Sequence, residues 1–183
     1  MYKLLIIFCI VTGILYPQSF QLGLRSESTF ENTTTGSEFI PFGHFYITSG
    51  ITEKIVPVLN DLTEEIRLGG MIAPDNMEGF DFSLNLKTHV YKKYFYISGG
   101  IDFHHNAGSS HNTSVNYEKT LGLIVLGLGY SPDNIFYVEL SQYIPISNAS
   151  LGGSYYYSNN NYRIQQNNLN ALTAIDFGIN FNL

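Results

Sequence analysis

The side chains best suited to chemistry concentrate in one stretch, DFHHNAGSSHNTSVNYE (102–118). It holds His104, His105 and His111, flanked by Asp102 and Glu118. A metal centre needs about three convergent ligands, and Asp102, His104 and Glu118 are one set that could supply them. Polar residues also gather wherever a strand runs out into solvent, and that plainer origin carries most of the weight here. Neither a metal nor another cofactor is expected. The only cysteine is Cys9, which excludes a disulfide framework and a thiolate metal site.

Glu139 and Asp176 form a second candidate, a pair of carboxylates of the kind used in acid–base chemistry. Arg25 offers them a cation, so a charge-paired network is the favoured account of both. GSEFIPFGH and LGLGY contain glycines but lack phosphate-loop spacing and a following helix. The run Tyr155, Tyr156, Tyr157 could form an adhesive surface, since tyrosine is a good contact residue.

The elements that must position these groups are strands. After residue 19 no helical period of useful length appears, and Pro57 interrupts the nearest candidate, EKIVPVLNDLTEEI. Two-residue alternation dominates. It predicts eight strands, at about 20–30, 42–53, 62–73, 79–91, 94–106, 115–130, 135–146 and from 169 onward. In the first, Phe20, Leu22 and Leu24 oppose Gln21, Gly23, Arg25 and Glu27. In the fourth, Phe80, Phe82, Leu84, Leu86 and Val90 oppose Asp81, Ser83, Asn85, Lys87 and His89. The sixth is apolar on both parities, so its facing is open, and a bulge at a glycine could switch it.

Connections after strands two, four and six look short (IVPVLN, KK, SPDN). Those after one and seven look long and polar: ENTTTGSEFIP, and the Asn/Ser/Tyr-rich segment 147–168, read as a mobile loop. With an even strand number the long connections fall at one end and the short ones at the other.

Composition decides which parity faces inward. Only 13% of the chain is charged, against about 25% in an ordinary soluble domain. A soluble eight-stranded barrel would turn its polar parity to water. Here that parity is Ser, Asn, Gln, Thr, Gly and Tyr with one or two charges per strand, which suits a narrow packed interior. Arg25, Arg67 and Lys87 would then pair with Glu27, Asp81, Asp102, Glu139 and Asp176 across the lumen, since an unpaired buried charge is very costly. The apolar parity would meet lipid, on strands about long enough to cross a bilayer when tilted. Aromatic residues near both strand ends fit the two interfacial girdles of a membrane barrel: Tyr91, Tyr94, Tyr130, Phe136 and Phe181 at the short-turn end, Phe30, Phe45, Phe80, Phe103 and Tyr117 at the other.

The first 19 residues, MYKLLIIFCIVTGILYPQS, pair Lys3 with an apolar run too short to span a membrane. They read as a secretory signal peptide cleaved near Ser19, leaving 20–183 as the barrel. The closing stretch TAIDFGINFNL alternates up to Leu183. Such a last strand must pair with the first, because an open edge in lipid leaves backbone groups unsatisfied at several kcal/mol each.

With its signal segment, YISGGIDF (96–103), LGLGYSPDN (126–134) and FGINFNL, the chain resembles the small eight-stranded bacterial outer-membrane barrels, the group of the OmpA membrane domain, OmpX and the opacity-type porins. Leu183 stands where that family usually ends in Phe. The resemblance implies a bacterial source, an outer-membrane location and a monomer without a soluble periplasmic domain. It also implies a structural or surface-interaction role in which outer loops meet lipopolysaccharide, neighbouring proteins or a surface ligand, without catalysis.

The alternative is an enzyme like the barrel lipid A deacylases, which carry a His-x-Ser-Asn element and a Glu about fourteen residues on. His104 and Glu118 have that spacing, but Asn106 occupies the nucleophile position. A narrow pore and a secreted binding barrel are the remaining options. The net charge of −6 offers no basic surface for nucleic acid.

Overall fold

The computed structural model describes residues 19–53, 62–71, 78–91, 94–111, 114–132, 135–158 and 161–182. The signal segment expected over 1–19 lies outside them up to residue 18, as do Ile72, the KK turn and Leu183.

The strands are β1 (Ser19–Thr33), β2 (Ser37–Glu53), β3 (Leu62–Met71), β4 (Gly79–Tyr91), β5 (Phe95–Asn106), β6 (Ser109–His111), β7 (Ser114–Asn116), β8 (Lys119–Tyr130), β9 (Phe136–Pro145), β10 (Ala149–Ser158) and β11 (Asn161–Asn182). Eight of them, β1, β2, β3, β4, β5, β8, β9 and β11, are staves of one antiparallel sheet, each bonded to the next in chain order. The sheet closes on itself where β1 pairs β11, from Gln21↔Asn182 to Thr33↔Leu169. The final alternating segment thus meets the first, and the eight staves form a closed up-and-down barrel.

Side-chain alternation puts the polar parity inside. Arg25, Thr48, Glu65, Arg67, Ser83, Asn85, Asp102, Ser141 and Asp176 are buried, whereas Leu24, Ile47, Leu84, Ile101, Leu128, Val138 and Ile175 are exposed on the outer wall. The contrast is steep: Ile47 is 63% exposed and Glu139 0%. Tyr94, Phe95, Tyr130, Phe136 and Phe181 are exposed at the short-turn end, and Phe30, Phe45, Phe80 and Phe103 toward the other. The Tyr130 ring lies tilted against those of Tyr94 and Phe95, at centroid distances of 6.5 and 5.0 Å.

Three expectations are corrected. The connection after β1 is no long loop: the ladder continues through Glu31↔Glu38 and Asn32↔Ser37 to a turn at 34–36. The 147–168 segment is ordered as β10 and the first part of β11, paired from Ala149↔Leu169 to Ser158↔Asn161. Its small and apolar residues supply the reason, because Ala149, Leu151 and Leu169 are buried against Leu121, Leu123 and Leu172. Finally, β8 has no bulge. It runs in unbroken register with β5 and β9, turning Leu121, Leu123 and Val125 inward and Ile124, Leu126 and Leu128 outward. The loop end of the lumen therefore holds an apolar core, with Glu31 and His104 buried opposite its Leu172 and Leu121.

Candidate functional site

The inward parity of the staves assembles two polar clusters. The first centres on Arg25 of β1, which Tyr46 and Gly178 flank in register on β2 and β11. Its guanidinium donates to Glu27 at 2.8 Å and to Glu139 at 3.2 Å, and lies 2.5 Å from Asp176. Glu139 and Asp176 face each other across β9 and β11. The Ser141 hydroxyl stands 2.8 Å from Glu139 and 2.7 Å from Asp176, able to donate to one of them. Tyr143 donates to Glu27 at 2.7 Å.

The network extends through Glu139 to Arg67, 3.2 Å away, and from Arg67 to Glu65 at 2.5 Å. Lys87 also reaches Glu65 at 2.5 Å, and its ammonium lies over the rings of Tyr96 and Tyr137, 5.2 and 4.8 Å from the centroids. Arg25, Glu27, Arg67, Lys87, Glu139 and Asp176 are thus joined in one chain of charge-assisted bonds that crosses the interior. Such bonds are worth their desolvation only when geometry is good and partners are complete. Because Arg25 holds both Glu139 and Asp176, these carboxylates act in pairing charge, and no free acid–base dyad is left.

The second cluster lies on β2, β4 and β5. His104 Nδ1 is 2.7 Å from Asp81 Oδ1, directly across the β4–β5 ladder. His44 joins them from β2, and one ligand atom from each of the three lies within 4.8 Å of the others. Asp102 is buried on the same face of β5, two residues before His104. Glu118 and His105 are instead solvent-exposed, as are Ser109 and Ser110, while Asn106 is buried. The His104 imidazole and the Glu118 carboxylate therefore occupy different environments, one inside the wall and one outside it.

Glu65 and Glu31 of the buried interior were not singled out from sequence, nor was His44. The signal was available for Glu65, which shares a parity with Arg67 two residues on. For His44 the needed information is its proximity to β4 and β5 across β3, which alternation does not carry.

These residues define a closed eight-stranded antiparallel barrel with an apolar outer wall and a charge-crossed interior. No family model matches the chain, and no curated protein matches it. Among solved structures it is similar to the crystal structure of Neisserial surface protein A (NspA), with 10% identity and a TM-score of 0.37, over 88% of this chain and 97% of that one.

Proposed function

We propose that the protein is a monomeric integral barrel of a bacterial outer membrane, of the same general kind as the OmpA membrane domain and OmpX. Its staves serve as an anchor, and its working surface is the loop-end extension made by β6, β7, β10 and the first part of β11. One observation carries this: the burial pattern is inverted relative to a soluble protein. Leu, Ile, Val and Phe cover the outside of every stave while Arg, Lys, Glu and Asp fill the inside. A monomeric soluble protein rarely exposes an apolar patch beyond a few hundred Å², whereas a lipid-facing wall requires one all round.

The interior does not serve as a conduit in this proposal. Arg25, Arg67 and Lys87 reach across it to Glu65, Glu139 and Asp176, as expected of eight strands whose lumen has room only for side chains. Contact with lipid, lipopolysaccharide or a surface ligand would fall to the loop end, where Tyr155, Tyr156 and Ile164 stand exposed on the β10–β11 hairpin. Aromatic side chains give large contact area at little entropic cost.

The test is fractionation of cells producing the full chain, signal segment included, followed by electrophoresis of boiled and unboiled outer-membrane samples. A band that migrates faster unboiled, recovered with the outer membrane, supports the proposal. Recovery in the soluble fraction, with no heat-dependent shift, overturns it.

A further inference from the structure

Among the described residues the buried interior carries seven carboxylates, Glu27, Glu31, Glu65, Asp81, Asp102, Glu139 and Asp176, against three permanent cations, Arg25, Arg67 and Lys87. The cations sit with Glu27, Glu65, Glu139 and Asp176. That leaves the loop-ward half of the acidic set, around Asp81, without an Arg or Lys partner among the described ion pairs. Buried negative charge without a counter-charge is costly, so the composition of the interior leaves room for a further cation.

We propose that His44, Asp81 and His104, completed by Glu27, form a binding site inside the barrel for a divalent first-row transition-metal ion, with zinc as the reference ion. The donor set suits that class. Imidazole and carboxylate ligands together select zinc, copper, nickel or iron over magnesium and calcium, which take oxygen alone. The three side chains are 0–3% exposed and contribute donor atoms lying within 4.8 Å of one another. Ligands about 2.1 Å from a tetrahedral zinc stand about 3.4 Å apart, so closing on an ion needs only modest side-chain rotation.

Unused lone pairs point the same way. His44 Nδ1, Asp81 Oδ2, His104 Nε2 and Glu27 Oε2 are all buried and all lack a hydrogen-bond partner. Glu27 Oε2 is 3.7 Å from His44 Nδ1, while Glu27 Oε1 is already held by Arg25 and Tyr143, which leaves Oε2 to act as the fourth ligand. Buried polar atoms are nearly always satisfied in folded proteins; three of these orphans sit on the converging nitrogen and oxygen donors His44, Asp81 and His104, and the fourth, on Glu27, lies beside His44.

The backbone is shaped for this convergence. On β3 the residue opposite Asp81 is Gly69, which adds no side chain of its own, and the Tyr46 ring lies over it beside His44. On β2 a bulge at Pro41, Phe42 and Gly43 precedes His44, between the Thr29↔Ile40 and Glu27↔His44 pairs. Phe42 sits there at a φ of 51° and is turned to the outer surface, 59% exposed. Bulges re-aim the strand that carries them, and this one delivers His44 to the interior opposite Glu27. Because the ligands come from three staves and are buried, the ion would enter as the barrel closes.

The experiment uses the tag-free mature barrel, refolded into detergent micelles with Zn2+ present, desalted, and assayed for zinc by mass spectrometry. About one zinc per folded chain is expected. His44→Gln, Asp81→Asn and His104→Gln should each weaken zinc binding by about tenfold or more, while His105→Gln, on the exposed face, should leave it unchanged. Heat-dependent gel migration reports whether each variant has folded. Should the ligand variants fail to fold, refolding the wild type with Co2+ decides the matter. A visible d–d band of a nitrogen- and oxygen-ligated four-coordinate ion supports the site. A wild type that retains no zinc and gives no such band overturns the proposal, as does zinc content equal in the wild type and a folded His44→Gln/His104→Gln variant.

Discussion

The Tyr96 ring occupies the space a side chain on Gly129 would need. The two residues are directly opposite on β5 and β8, and a Cβ built at Gly129 would overlap the ring. The same relationship recurs at Tyr46 with Gly69 and at Tyr137 with Gly178, each a directly opposed pair on the inner face. A glycine in a strand costs backbone entropy and packs nothing, and a neighbouring aromatic ring laid over it restores the lost packing. Gly129→Ala should therefore destabilise the barrel by about 1–3 kcal/mol through overpacking. With Tyr96→Ala added, the combined loss should be smaller than the sum of the two single losses, because the ring and the methyl compete for one space. Urea unfolding of the barrel in lipid vesicles, followed by far-UV circular dichroism because the chain has no tryptophan, measures both.

Arg25 is the residue whose loss should cost most in the interior. It contacts Glu27, Glu139 and Asp176 at once, and all three are fully buried. Replacing it with Met keeps much of the volume and leaves those carboxylates without their shared cation, at about 3–5 kcal/mol. Glu139→Gln should cost less, since Arg25 retains Glu27 and Asp176 and Arg67 retains Glu65. A denaturant midpoint for Arg25→Met at or above that of Glu139→Gln would contradict this ranking.

Much of the barrel was legible in sequence because alternation encodes facing directly. Leu24, Ile47, Leu84 and Val138 lie outside, and Arg25, Thr48, Asn85 and Glu139 inside, as their parities require. β8 was opaque because both of its parities are apolar: one meets the outside, and the other meets the loop-end core of Leu151, Leu169 and Leu172. That core was itself hidden, since the segment that closes it looks like a polar loop by composition while turning Ala149, Leu151 and Leu169 into the core. Nor could alternation show that His44, Asp81 and His104 converge. They come from three staves, and their proximity depends on the register of β2 with β3 and of β4 with β5, shifted locally by the bulge at Phe42.

A charge on the outer wall separates a membrane barrel from a soluble one. Leu126 is central in β8 and 53% exposed. In a bilayer, Leu126→Lys should cost about 2–4 kcal/mol, as for cations near the midplane of membrane barrels. Ile164→Lys, on the hairpin beyond the β9–β11 ladder, should change stability by less than about 0.5 kcal/mol, as an exposed site with no special partner. The vesicle unfolding assay compares them directly. Equal and near-zero effects at both sites would mean that water covers both.

Orientation can be read with trypsin, because the cleavable residues divide by position. Arg25, Arg67 and Lys87 are buried in the interior. In the sequence Lys92 and Lys93 follow directly on Tyr91, the last residue of β4, and Arg163 is exposed on the hairpin part of β11, beyond the opposite end of the β9–β11 ladder. If the hairpin end faces the medium, trypsin added to intact cells should cut after Arg163, releasing the segment from Ile164 onward on denaturation, and should spare Lys92 and Lys93. Cutting at Lys92 or Lys93 should appear only once the outer membrane is permeabilised. The staves themselves should survive both treatments, since a closed ladder offers a protease no extended chain to bind. Mass spectrometry of the fragments identifies the cut sites. Cleavage at Lys92 or Lys93 in intact cells, with Arg163 protected, would invert the barrel and remove the β10–β11 hairpin from any role in surface contact.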